Sequence, residues 1–280
     1  MNTKIEAKLI FLKINTISKE ILNFYEKFFT YFGYNVEKVY NRNYFLKATN
    51  DELTILLDNG LNINPKIRRF ISRMGISGIY FRVKNDNQVN RYKKEIVMPM
   101  GIKPMLDMKG KKSGIRTIDI YNEQKDVISV FSYPEKTKDK MSKKLGINSL
   151  AIKAINKDSL HFYKDFFTYL GYKQVRKYSG NKKYILEELV FCDGGIEFDV
   201  FAIGKGVENK EGSGIEAIHP GTDMLFFKVS DKKEVDRFVK DFIKPRKINF
   251  RFNNPEIKEG EGEYSIFFDT PEKLTIGIIY

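Results

Sequence analysis

The chain has 280 residues, of which 42% are hydrophobic and 30% charged, with a formal net charge of +13. These proportions exclude a disordered chain, and the length allows two ordinary domains, each with its own core. A single cysteine, Cys192, rules out an internal disulfide framework and leads to the expectation of a reducing, cytoplasmic compartment.

No apolar run approaches the roughly 18–20 residues needed to cross a bilayer, so no membrane partner is expected. The N-terminal stretch MNTKIEAKLIFLKIN, interrupted by Lys13, does not read as a cleavable signal. Residues 7–15 predict a strand. Ser18 is a suitable N-cap for a helix over 19–32, whose Ile21, Leu22, Tyr25, Phe28, Phe29 and Phe32 share one face. Gly33 stands where a left-handed residue ends a helix. Strands are predicted over 34–40, 43–48 and 53–58, with turns at Asn41–Arg42 and Asn50–Asp51. The unit is βαβββ.

A second unit follows: strand 76–83, helix 86–97, and strands 101–107, 115–121 and 126–131, with a turn at Asn122–Glu123. A charged linker runs to Gly146 and contains the lysine-dense stretch KTKDKMSKK, residues 136–144. The third unit has strand 147–154, a long helix, and strands 172–178, 184–191 and 196–201, with a hairpin turn at Asp193-Gly194-Gly195. Residues 204–214 (GKGVENKEGSG) form a connector without the strand–loop–helix context of a phosphate-binding loop. The fourth unit comprises strand 223–229, helix 231–242, and strands 247–252, 264–269 and 273–279.

Residues 17–40 recur as residues 155–178 at a constant offset of 138, without a gap. Phe24-Tyr25, Phe28-Phe29, Thr30-Tyr31 and Gly33-Tyr34 return as Phe162-Tyr163, Phe166-Phe167, Thr168-Tyr169 and Gly171-Tyr172. This is an internal duplication.

The segments FYEKFFTYFGY and FYKDFFTYLGY, the strand openings IYFRV and LFFKV, and the closing FFDTPEKLTIGII together resemble the vicinal oxygen chelate superfamily of glyoxalase I, bleomycin-resistance proteins and extradiol dioxygenases. The resemblance spans nearly the whole chain. It implies an α+β fold in which modules pair into open β-barrels with helices outside. The expected arrangement is a first barrel within 1–135 (modules 7–60 and 75–133), a linker over 136–146, and a second barrel within 147–280 (modules 147–203 and 222–280). A weaker likeness to the streptococcal C3-degrading proteinases rests on KIN…FY…G near the start.

Enzymes of the superfamily hold a divalent metal through His, Glu or Gln on the first strand of a module and Glu on the last. The metal acts as a Lewis acid on vicinal oxygens. The matching first-strand positions here are 9–11, 77–79, 147–149 and 223–225, and they carry no His, Glu or Gln. On the last strands only the third module supplies carboxylates, Glu197 and Asp199. Of the two histidines, His161 falls on a helix and His219 in a loop. A family metal site is therefore not expected, and no cofactor is predicted.

The candidate binding residues are Asn148, Glu197 and Asp199, together with Arg82, Lys228, Tyr80 and Tyr264. Glu197 and Asp199 share one strand face. Facing inward opposite Asn148 they would form a polar floor with carboxyl pKa values raised by mutual repulsion; facing outward they are solvated charges. Arg82 and Lys228 occupy equivalent points, from which a cation could reach an anionic ligand or sit at a strand edge. Tyr80, Tyr121 and Tyr264 could line a cavity or pack in a core. Cys192 would need a base such as His219 to act as a nucleophile, which nothing in the sequence provides.

The leading expectation is binding of a small anionic or aromatic ligand without catalysis. The alternatives are a metalloenzyme using Glu197, Asp199 and Asn148, and an interaction scaffold with a basic surface. The lysines are spread among acidic residues, so nucleic acid is not the expected partner. Dimerisation is left open.

Overall fold

The computed structural model describes residues 5–16, 19–41, 43–59, 75–121, 127–134, 145–179, 185–203, 224–252, 264–272 and 274–280. Ser18, Arg42, the Asn122–Glu123 turn, the lysine-dense stretch 136–144, the connector 204–214 and His219 lie outside the described residues.

The first module consists of β1 (Lys8–Thr16), α1 (Lys19–Tyr31), β2 (Asn35–Asn41), β3 (Asn43–Thr49) and β4 (Thr54–Asn59). The second consists of β5 (Gly75–Arg82), α2 (Asp86–Tyr92), β6 (Leu106–Lys109), β7 (Arg116–Tyr121) and β8 (Val127–Ser132). The third has β9 (Gly146–Ala154), α3 (Lys157–Tyr169), β10 (Lys173–Ser179), β11 (Ile185–Cys192) and β12 (Glu197–Ile203). The fourth has β13 (Met224–Lys228), α4 (Lys232–Phe238), β14 (Phe250–Phe252), β15 (Ser265–Asp269) and β16 (Thr275–Ile279).

The four described helices end in the same way. In α1 the Gly33 N–H donates to Thr30 O and the Tyr34 N–H to Phe29 O, with Gly33 at φ 79°. This is the Schellman arrangement, in which a left-handed residue satisfies two orphan carbonyls. Gly171 and Tyr172 repeat it after α3. In the second and fourth modules a single π-helical turn follows, Lys93–Val97 and Val239–Ile243. Gly101 and Lys247 then take the left-handed position at φ 68° and 53°. Spending Gly101 on the helix terminator explains why the expected strand 101–107 is only the short β6, and Lys247 shortens β14 likewise.

The strands form two eight-stranded sheets, in the orders β14-β15-β16-β13-β1-β4-β3-β2 and β10-β11-β12-β9-β5-β8-β7-β6. Each is an open, curved sheet. The first joins modules one and four through antiparallel β1 and β13, and the second joins modules two and three through antiparallel β5 and β9. The expected pairing of consecutive modules within 1–135 and within 147–280 is thus not how the sheets form. The edges alone do not discriminate, because each module offers its first strand in the same manner. The residues facing inward do: modules one and four bring aromatic side chains to the concave face, and modules two and three bring polar ones.

The convex faces follow the sequence order instead. Phe28 of α1 and Phe32 in the turn after it pack on Phe81 of β5 at 5.3 and 4.1 Å between ring centroids. In the other half, Phe166 of α3 packs on Phe227 of β13 and Phe238 of α4 at 5.7 and 6.2 Å. Helix packing therefore joins the two modules within each half of the chain, while the sheets join one half to the other. Strand alternation connects the two arrangements: Phe81 and Phe227 point to the helices, so Tyr80 and Phe226 point the other way.

A polar cavity on the sheet of modules two and three

One row of paired residues crosses the middle of the second sheet. It runs Glu197 (β12), Ser149 (β9), Tyr80 (β5), Ser129 (β8) and Asp119 (β7), each the direct partner of the next. The same row in the first sheet reads Thr54 (β4), Phe11 (β1), Phe226 (β13), Gly277 (β16) and Phe267 (β15). There, among the described residues, aromatic rings occupy the row: Phe11 stacks on Phe226 and Phe226 meets Phe267 edge-on. In the second sheet the row instead floors a cavity of about 400 Å³, walled by Tyr133, Tyr178 and Phe131. A cavity of that size suits a small organic molecule.

Two β-bulges aim side chains into this cavity. The β5–β9 register slips between Tyr80 and Phe81, leaving Asn148 as an extra residue, so consecutive residues Asn148 and Ser149 both line the cavity. The matching slip in β1 leaves Ile10 extra beside Phe11. A second slip, in β10 between Gln174 and Arg176, brings Arg176 inward. Its Nη2 donates to Glu197 Oε2 at 2.6 Å. Lys38, at the matching place in the first repeat, pairs with Glu26 of α1 at 2.8 Å instead.

The electrostatics follow from burial. Glu197 is 0% exposed, and Arg176 supplies its counter-charge. Burial holds the Asp199 carboxyl up at about 6; the Ser149 hydroxyl, which donates to Oδ2 at 3.0 Å, opposes this, Glu188 reinforces it, Arg176 opposes it and Glu197 adds to it. Desolvation, more than mutual repulsion, is therefore the main cause. Asp199 Oδ1 is enclosed and has no hydrogen-bond partner among the described residues. Burial also raises the Glu188 carboxyl. Asp119 accepts from Thr117 Oγ1 at 2.9 Å and from Ser129 Oγ at 2.6 Å. The Tyr80 phenol is pushed up by burial and then by Asp199, Asp119 and Glu188, which face it from β12, β7 and β11.

Of the residues singled out in the sequence, Tyr80, Asn148, Glu197 and Asp199 come together here. Arg82 lies behind the wall, its guanidinium 4.9 Å from the centroid of the Tyr133 ring. Lys228 is exposed at the end of β13 in the other sheet. Tyr264 sits apart, donating to Asp236 Oδ1 at 2.8 Å with Lys232 over its ring, and Tyr121 is 51% exposed. His161 is exposed on α3. Cys192 is buried, and burial raises its thiol pKa, which opposes a nucleophilic role. Arg176, Asp119, Glu188 and Ser149 were not singled out as binding residues. Arg176 became identifiable only through the bulge, which carries no sequence signal.

No protein-family description and no curated relative matches the sequence. Among solved structures, glyoxalase I from Zea mays aligns with a TM-score of 0.61 at 10% identity, covering 98% of this chain and 92% of that one. A Bacillus subtilis protein designated a dioxygenase gives 0.60 at 9% identity, over 99% of this chain and 86% of that one. The chain has the vicinal oxygen chelate fold. At these identities the likeness is one of fold, and the likeness to C3-degrading proteinases finds no support.

In the vicinal oxygen chelate fold the metal would be held from the first and last strands of two paired modules. The register places these positions at Ser149, Glu197, Tyr80 and Ser129 in one sheet and at Phe11, Thr54, Phe226 and Gly277 in the other. In the second and fourth modules the true positions, Tyr80 and Phe226, fall just beyond the 77–79 and 223–225 windows read from sequence. The first set has one carboxylate, already bound to Arg176, and the second has none. Among the described residues no group of three or more His, Cys, Asp or Glu is placed to hold a metal ion. The side chains present do not fit the family metal.

Proposed function

We propose that this chain binds a small molecule in the polar cavity between modules two and three, at one site per chain. The observation that carries the reading is the contrast between the two rows. The same strand positions hold Ser149, Tyr80, Ser129 and Asp119 around an open volume in one sheet, and stacked phenylalanines around a glycine in the other. Polar groups kept on a concave sheet face cost stability unless they serve recognition, and perturbed carboxyls beside aromatic walls are its usual mark. Because the metal positions do not fit a metal, the reading is one of binding; what glyoxalase I and dioxygenases do is not carried over.

The test is to fill the cavity as the protein fills its own counterpart. Ser149→Phe places at that position the residue found at Phe11. A mixed set of cationic, neutral and anionic fragments is screened by ligand-observed NMR against wild type and this variant. The reading predicts fragments that bind wild type at one equivalent and are lost on Ser149→Phe, with Phe11→Leu as the control that retains them. Fragment binding untouched by Ser149→Phe contradicts it.

A further inference from the structure

The charge inside the cavity opposes the charge of the chain. The protein carries +13 overall. Yet the cavity is lined by the carboxylates Asp119, Glu188, Glu197 and Asp199 and by a single guanidinium, Arg176. That guanidinium is engaged with Glu197 at 2.6 Å. Among the described residues no cation forms an ion pair with Asp199, Asp119 or Glu188; Arg176 acts on Asp199 and Glu188 only at longer range, and all three acids bear on the Tyr80 phenol. The remaining walls are faces of Tyr133, Tyr178 and Phe131. Arg82 already lies over the Tyr133 ring, so that ring accepts a planar cation.

We propose that the ligand is an organic cation: a protonated amine or guanidinium carried on a compact, apolar or aromatic body. This deepens the binding reading above and rests on it. An acidic interior of low effective dielectric repels anions and attracts cations. A bare metal ion is disfavoured, because the carboxylates do not converge on one coordination point. An organic cation spreads its charge over several acceptors and uses the aromatic walls for its body. Asp199 is the central acceptor. It lines the cavity, with Oδ2 accepting from the Ser149 hydroxyl and the enclosed Oδ1 without a hydrogen-bond partner among the described residues.

Two probes of matched shape and opposite charge provide the test: 2-phenylethylammonium and 3-phenylpropionate, titrated by calorimetry and NMR at pH 8 and low salt. The ammonium is expected to bind at least about tenfold more tightly than the carboxylate. Asp199→Asn is expected to weaken the ammonium about tenfold, and lowering the pH from 8 to 5 is expected to weaken it as Asp199 takes up a proton. Over that range Arg176 keeps its charge and Tyr80 stays a neutral phenol.

Equal or tighter binding of 3-phenylpropionate that Ser149→Phe abolishes would overturn the cation assignment while leaving the cavity reading intact. Ammonium binding indifferent to both Asp199→Asn and Ser149→Phe would place it on surface acids and overturn the assignment. Failure of both probes to bind would overturn it as well, whereas the fragment screen judges the cavity separately.

Discussion

Phe11 and Phe226 stack with ring centroids 4.7 Å apart and planes 14° from parallel, across the same strand register that Ser149 and Tyr80 hold in the other sheet. One duplicated architecture has thus been given a packed concave face and an open one. The pairing of modules follows from it, since an aromatic row seated against Tyr80, Ser129 and Asp119 would bury their polar groups without partners.

Gly277 is what lets the packed face close. A Cβ there would come within 2.4 Å of the Phe226 ring and 2.9 Å of Phe267. Both rings are held by neighbours, so Gly277→Ala is predicted to destabilise the protein by about 1–3 kcal/mol. Denaturant unfolding would show it, and an unchanged midpoint would mean that the aromatic row repacks at little cost.

Arg176 and Glu197 form an ion pair in which the acid is out of water. Arg176→Met leaves a buried carboxylate without its guanidinium and is predicted to cost about 3 kcal/mol. Adding Glu197→Gln should restore much of that loss, because the uncompensated charge disappears. A double variant as unstable as the sum of the two singles would show that the groups act independently.

Asp199 links stability to pH. Its folded pKa, about 6, lies above the ordinary carboxylate value, so the folded state binds the proton more tightly than the unfolded chain. Its ionised form therefore lowers stability above pH 6, and the penalty fades as pH falls from 6 towards 4. Asp199→Asn is predicted to stabilise the protein at pH 8 by on the order of 2 kcal/mol and to be nearly neutral at pH 4. Thermal melts at both pH values check this; a variant less stable at pH 8 than at pH 4, relative to wild type, contradicts it.

Lys247 is the described non-glycine residue at positive φ, at the helix end where the second module has Gly101. Lys247→Gly is predicted to raise stability by up to about 1 kcal/mol, because a left-handed backbone strains a side chain bearing Cβ. A lower melting temperature would mean that the unfolded-state entropy of the added glycine prevails.

The four modules and their helices were legible in the sequence, because helical periodicity, Gly33 and Gly171, and the repeat at constant offset each have a local cause. Which modules share a sheet was not legible, since it depends on whether facing rows across β1–β13 and β5–β9 match in polarity. Tyr80, Asn148, Glu197 and Asp199 could be nominated from alternation on short strands. Arg176 could not, because a bulge shifts its register by one residue and moves its side chain to the other face. Lys228 and Tyr264 lie away from this cavity, since the fourth module pairs with the first.

Residue-resolved NMR of wild-type protein titrated with 2-phenylethylammonium tests the central claim most directly. The account predicts saturable shifts at one equivalent, centred on Tyr80, Ser149 and Asp199, with the amides of Phe11 and Phe226 unmoved. Shifts centred on Phe11 and Phe226, or none at Tyr80, Ser149 and Asp199, would contradict it.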